Sequence, residues 1–167
     1  MSISESFKKL GVTELHHFTD DENIQRMIDV GEIIYSRFEL DTKGLERTYM
    51  TDSDSRNSDD RQNYNHYVFL VFLITHPMIY KKQMNGHNLT PIPVDICVLD
   101  IPGVLITDRI ATDGNVRLYT PEEALIHLDI TSIGKNERLE KDIWNVVKKY
   151  EILIPKLIDL NKYLGSM

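Results

Sequence analysis

The chain has 167 residues, of which 41% are hydrophobic and 27% charged, and a formal net charge of -7. That length suits one domain with a sizeable buried core, so residues 1–167 are expected to form a single unit. The composition excludes wholesale disorder and collagen-like repeats, and the longest apolar run, residues 67–74, falls far short of the roughly 20 residues a bilayer span needs.

Residues 2–10 read as a short amphipathic segment ending at Gly11. Residues 15–18 form an apolar-aromatic stretch with two histidines, which predicts a first strand. Thr19 or Asp20 can cap a following helix, with Asp21 and Glu22 where the helix dipole favours them. Ile24, Met27 and Ile28 recur at helical spacing, and Gly31 follows Val30 as a helix terminus. Ile33, Ile34 and Tyr35 predict an extended segment. Residues 52–65 are the most polar stretch and read as an exposed loop.

The β-branched and aromatic run at 67–74 predicts a strand buried on both faces, ended by Pro77. Residues 81–93, with Gly86, Pro91 and Pro93, read as a connection. Residues 94–99 predict a second buried strand. Residues 104–107 are short and apolar, and 108–116 hold turn chemistry. Residues 121–128 suggest a helix with Pro at its first turn. Residues 138–149 read as a helix with Leu139, Ile143, Val146 and Val147 on one side. Residues 151–155 predict a last strand, and 156–164 a terminal helix. The fold class is α+β, with strands in two groups and helices between them.

The chemistry-bearing residues are sparse. His16 and His17 are adjacent, so on a strand they point to opposite faces and only one can line a given site. His66, His76, His87 and His127 are scattered without zinc-ligand spacing, and no metal is expected. Glycine-rich nucleotide loops and a nucleophile elbow are absent. Cys97, the only cysteine, sits in an apolar run and reads as a small core residue. It permits no intrachain disulfide. Residues 1–6 lack a basic region followed by an apolar core, so no secretory signal and a cytoplasmic location are expected. Glu151 opens the short strand Glu-Ile-Leu-Ile-Pro. Two readings fit it: a solvated strand start, or a carboxylate held rigidly over a cleft.

Five segments, in order, resemble the DarT family of NAD-dependent DNA ADP-ribosyltransferase toxins. They are His16-His17-Phe18-Thr19 with Asn23 and Gly31; His66 to Phe72 running to Pro77-Met78-Ile79-Tyr80; Val104 to Arg109 with Asn115, Arg117 and Tyr119; Leu128-Asp129; and Lys148-Lys149-Tyr150-Glu151-Ile152-Leu153-Ile154-Pro155. Within the second segment, Ile74-Thr75-His76-Pro77 lacks the arginine often seen there. The resemblance covers most of the chain from about Leu15 to Leu164.

It implies an ADP-ribosyltransferase-like fold, two small, roughly orthogonal sheets with flanking helices and NAD in the cleft between them. NAD would be the substrate. Glu151 is implied as the catalytic glutamate, with Arg56 supporting catalysis and holding the dinucleotide; Arg47 and Arg61 compete for that place. His17, Thr19 and Asn23 are implied as NAD contacts, and His16 is expected to face away.

The segment before Glu151 supplies substrate contacts in these enzymes. Here it holds Lys135, Arg138, Lys141 and Trp144, phosphate contacts and a stacking platform for single-stranded DNA. An amphipathic helix with a solvated charged face and Trp144 in the core fits the same residues. An acidic chain gets no general electrostatic help toward nucleic acid, so such a patch has to act locally. The implied activity is modification of a nucleobase, thymidine in single-stranded DNA, by a toxin with a macrodomain antitoxin as partner and no membrane. RNA or protein as acceptor, or a catalytically silent binding module, are the alternatives.

Overall fold

The structure is a computed structural model that describes residues 1–47, 62–135 and 137–165. The elements follow largely from local chemistry. Helix α1 (Ile3–Lys9) starts at Ser2, whose side chain accepts from the Glu5 amide while the Glu5 carboxylate accepts from the Ser2 amide. Strand β1 (Glu14–Asp20) runs directly into α2 (Asp21–Asp29), capped by the Asp20 carboxylate. Strand β2 (Ile33–Tyr35) and α3 (Arg37–Lys43) follow, then β3 (Tyr67–Val71).

Helix α4 (Pro77–Met84) and strand β4 (Leu89–Asp95) come next. They correct two readings. Pro77 does end the approach from β3, but as the first residue of a helix, the position where its missing N–H costs nothing. The strand expected at 94–99 is displaced: β4 ends at Asp95, whose carboxylate accepts from the Cys97 amide and turns Ile96–Asp100, of which Ile96, Val98 and Leu99 are buried, into a 3₁₀ turn.

Strands β5 (Leu105–Thr107) and β6 (Leu118–Tyr119) precede helices α5 (Pro121–His127), α6 (Ile130–Gly134) and α7 (Lys141–Val147). Strand β7 (Glu151–Pro155), β8 (Leu157–Asp159) and the short α8 (Leu160–Tyr163) complete the described order. The terminal helix expected at 156–164 is therefore a strand followed by one helical turn.

The strands form two sheets, a six-stranded one in the order β4-β1-β3-β7-β5-β6 and a two-stranded one of β2 and β8. All recorded pairings are antiparallel. The chain crosses between the sheets at Lys156, whose φ of 70° breaks the extended path of β7. β7 lies between β3 and β5, and Ile152, Leu153 and Ile154 are fully buried. Ile152 and Ile154 join the main core with Leu15, Leu70, Ile92 and Ile106. Leu153 and Glu151 point to the other face. There Leu153 meets a smaller cluster with Tyr64 and Ala111, flanked by Phe69.

The outer edge of β4 is blunted. Pro91 and Pro93 have no N–H to offer, and the Pro93 carbonyl accepts from the Gly165 amide at 2.9 Å. The opposite edge, β6, is two residues long.

Candidate active site

The Glu151 position is fixed from the backbone outward. Its Cα is registered against Val71 of β3, and its amide donates to Thr107 Oγ1 of β5 at 3.0 Å. Thr107 Oγ1 in turn donates to the Arg109 carbonyl at 2.6 Å. The side chain is held as well: Glu151 Oε1 accepts from the Ala111 amide at 2.6 Å. A carboxylate at the edge of an apolar strand is thereby buried and oriented rather than solvated, which decides between the two readings of this residue.

His17 is fixed by a gap in the sheet. The recorded register of β1 against β3 is His16 with Val71 alone. The Phe69 carbonyl on β3 is engaged by His17 Nδ1 at 3.0 Å. A carbonyl only accepts, so Nδ1 carries the proton and Nε2 is left as an acceptor. Burial holds the His17 pKa below the ordinary histidine value; the Phe69 bond opposes this, and Lys82 adds to it. His17 is thus a neutral imidazole.

Thr19, buried at the end of β1, accepts from Asn23 Nδ2 at 3.2 Å, and Asn23 Oδ1 accepts from Arg26 at 3.1 Å.

These residues line one cleft of about 470 Å³. That volume falls within the roughly 300–1,000 Å³ typical of small-molecule sites. Its walls include His17, Thr19, Asn23, Arg47, Tyr64, Phe69, Ala111 and Glu151. Among the described residues of its wall, the cationic side chains Arg26, Arg37, Arg47 and Lys82 stand with the acids Asp29, Glu46 and Glu151. The wall thus holds cationic groups that an anionic ligand can pair with, although the whole chain carries a net charge of -7. Arg47 also pairs with the Asp41 carboxylate. Arg56 and Arg61 lie outside the described residues.

The segment before Glu151 is built differently. Lys135, Arg138 and Lys141 are exposed and lie outside the cleft lining. Trp144 is half-buried: its indole N–H donates to Thr75 Oγ1 at 3.2 Å, and the Lys148 ammonium sits 3.6 Å from its ring centroid. It is neither a core residue nor a bare stacking platform. His16, half-buried, is absent from the cleft lining, as expected of the outward neighbour of His17.

Several residues escaped the sequence reading. Met78 and Lys82 bring α4 to the cleft, and Arg26 and Arg37 project from α2 and α3. His76 is 2% exposed, and its Nε2 lies 3.8 Å from Glu151 Oε2. A helix starting at Pro77 would have revealed Met78 and Lys82, and proline at a first helical position was the available signal.

No protein-family model and no curated protein matches the sequence. Solved structures do match. The chain superposes on Thermosipho africanus DarTG in complex with ADP-ribose with a TM-score of 0.69 and 19% identity, over 92% of this chain and 44% of that one. It superposes on Thermus sp. 2.9 DarT in complex with ADP-ribosylated ssDNA with a TM-score of 0.67 and 15% identity, over 89% of this chain and 77% of that one. The same DarT in complex with NAD+ gives 0.63 and 15%, over 90% and 78%. The chain therefore spans less than half the length of the DarTG chain and more than three quarters of the DarT chain. The chain has the fold of these DarT and DarTG structures. In this chain that fold consists of the six-stranded and two-stranded sheets described above.

Proposed function

We propose that residues 1–167 form an NAD-dependent ADP-ribosyltransferase domain that modifies a base, thymidine, in single-stranded DNA. The observation that carries this reading is Glu151, a buried carboxylate gripped by the Ala111 amide at the wall of a cleft that also holds Arg26, Arg37, Arg47 and Lys82. The structural neighbours supply the context: DarT structures in complex with NAD+ and with ADP-ribosylated ssDNA.

The chemistry follows from what NAD requires. Breaking the nicotinamide–ribose bond sends the bonding electron pair to nicotinamide and leaves positive charge on the ribose. Glu151, hydrogen-bonded to the ribose hydroxyls, orients the sugar and stabilises that charge. It then accepts the proton released when a nitrogen of the base bonds to the ribose carbon. His17 offers Nε2 to a donor on the dinucleotide, with Thr19 and Asn23 beside it. One arginine, Arg56 or its competitors Arg47 and Arg61, holds the pyrophosphate. Lys135, Arg138 and Lys141 contact the phosphates of the DNA strand.

In this reading the protein acts in the cytoplasm as the toxin of a toxin–antitoxin pair, opposed by a macrodomain antitoxin. No helix of the described residues is long and apolar enough to cross a membrane. The test is incubation of the protein with labelled NAD and pooled DNA, RNA and protein. Label in single-stranded DNA supports the reading. Label in RNA or protein moves the acceptor class, and no label from a folded protein that binds NAD leaves a binding module.

A further inference from the structure

His76 occupies an unusual place. Its Nδ1 accepts from the Met78 amide at 3.1 Å, capping α4. Serine, threonine, aspartate or asparagine would serve that cap as well. A histidine adds a second nitrogen that the cap does not use. Because Nδ1 accepts, the proton of the neutral ring sits on Nε2. Charging the ring would set an Nδ1–H against the Met78 N–H, two donors face to face. Burial first, and Lys82 second, push the His76 pKa down to about 4, so the ring stays neutral at physiological pH.

Nε2–H is thus a permanent donor, buried and without a hydrogen-bond partner among the described residues. Buried donors without partners are rare and cost free energy, so such a group calls for an explanation. The acceptor at hand is Glu151 Oε2, at 3.8 Å. Hydrogen bonds of catalytic groups are often long in unliganded structures and tighten in the complex.

Resting on the transferase reading above, we propose that His76 is a positioning residue for Glu151. Its Nε2–H holds Oε2 while the Ala111 amide holds Oε1, which fixes the plane of the carboxylate against the ribose. The assignment belongs to this chain's own geometry, in which one histidine joins the start of α4 to the start of β7.

Two substitutions separate the cap from the donor. His76→Ser keeps an acceptor for the Met78 amide and removes Nε2–H. His76→Gln restores a neutral donor of comparable reach. With labelled NAD and single-stranded DNA, His76→Ser should lower kcat about 10- to 100-fold with KM for NAD unchanged, and His76→Gln should recover part of that loss. A second readout does not depend on turnover. In ¹H–¹⁵N spectra of the ring, the His76 Nε2–H resonance should move upfield in Glu151→Gln relative to the unsubstituted protein. Full kcat in a folded His76→Ser protein, or an Nε2–H resonance indifferent to Glu151→Gln, overturns the proposal. If the unsubstituted protein transfers nothing, the transferase reading fails, and the resonance alone then decides whether His76 holds Glu151.

Discussion

Trp144 and Glu151 lie in neighbouring elements of the chain, yet α7 and β7 hold their side chains by opposite means. On β7 each position is dictated by two neighbouring strands: Glu151 faces Val71, Ile152 faces both Leu70 and Ile106, and no side chain among Ile152, Leu153 and Ile154 touches water. From residue 135 to α7, Lys135, Arg138 and Lys141 are exposed, and only Val147 of α7 is fully committed to the core. The contrast teaches where each kind of function belongs. Chemistry on a ribose needs a carboxylate held to fractions of an ångström. Contact with a phosphate backbone needs only charge within reach.

The largest effect tests the rigid side. Glu151→Gln should lower transfer about 10²–10³-fold while leaving the melting temperature near that of the unsubstituted protein. Initial rates and thermal denaturation check this, and near-normal transfer by a folded protein would remove Glu151 from the mechanism. The exposed side is tested by charge reversal at Lys135, Arg138 and Lys141 together. NAD binding should hold, DNA modification should fall, and the salt slope of single-strand binding should shrink by about 2, at roughly 0.7 per phosphate contact. Retained activity would place DNA recognition elsewhere.

The third expectation concerns acid. His76 is neutral in the native protein down to about pH 4, whereas the unfolded chain takes up that proton near 6.5. Between those values the unfolded state binds more protons, so stability is complete above about 6.5 and falls as pH drops toward 4, by on the order of 3 kcal/mol from this residue. His16 and His17, also held below the ordinary value, add to the same trend. Urea unfolding at a series of pH values reads the slope, and His76→Ser should flatten it. An unchanged slope would mean that the buried imidazole is already charged.

Trp144→Ala distinguishes packing from stacking. With Lys148 over the ring and Thr75 on the indole nitrogen, the loss should appear as about 1–2 kcal/mol of stability. A loss of about 1–3 kcal/mol in single-strand affinity with stability intact would instead put a base on that ring. The smallest effect separates the two adjacent histidines. His17→Ala should weaken NAD binding about tenfold in calorimetric titration, and His16→Ala should leave it within about twofold. Equal losses would show that the cleft is reached from both faces of β1.

How much of this was legible depends on how local each cause is. β3 announces itself through a β-branched and aromatic run, β1, β2 and β7 through shorter apolar stretches, and Glu151, His17, Thr19 and Asn23 came through short motifs. The structure gathers those four around one cleft. α4 was lost because Pro77 both ends one element and begins another, and the sequence shows only the proline. β4 was lost because Pro91 and Pro93 argue against a central strand; the strand lies at the sheet edge, where proline is tolerated. His76, Thr107 and Ala111 could not be read at all, because their roles arise from pairings between distant segments. Nothing in Ile-Thr-His-Pro says that its histidine will meet a glutamate on another strand.

The blunted edges of the large sheet have a consequence for how the protein behaves in a crowd. A sheet grows by recruiting a strand from another chain, and these borders offer little to start from: one carries Pro91 and Pro93, with the Pro93 carbonyl taken by Gly165, and the other is two residues long. Opening either border, for instance by Pro93→Val, should therefore change colloidal behaviour before it changes anything in the cleft, because strand-to-strand association between copies needs a free ladder and the native edge withholds one.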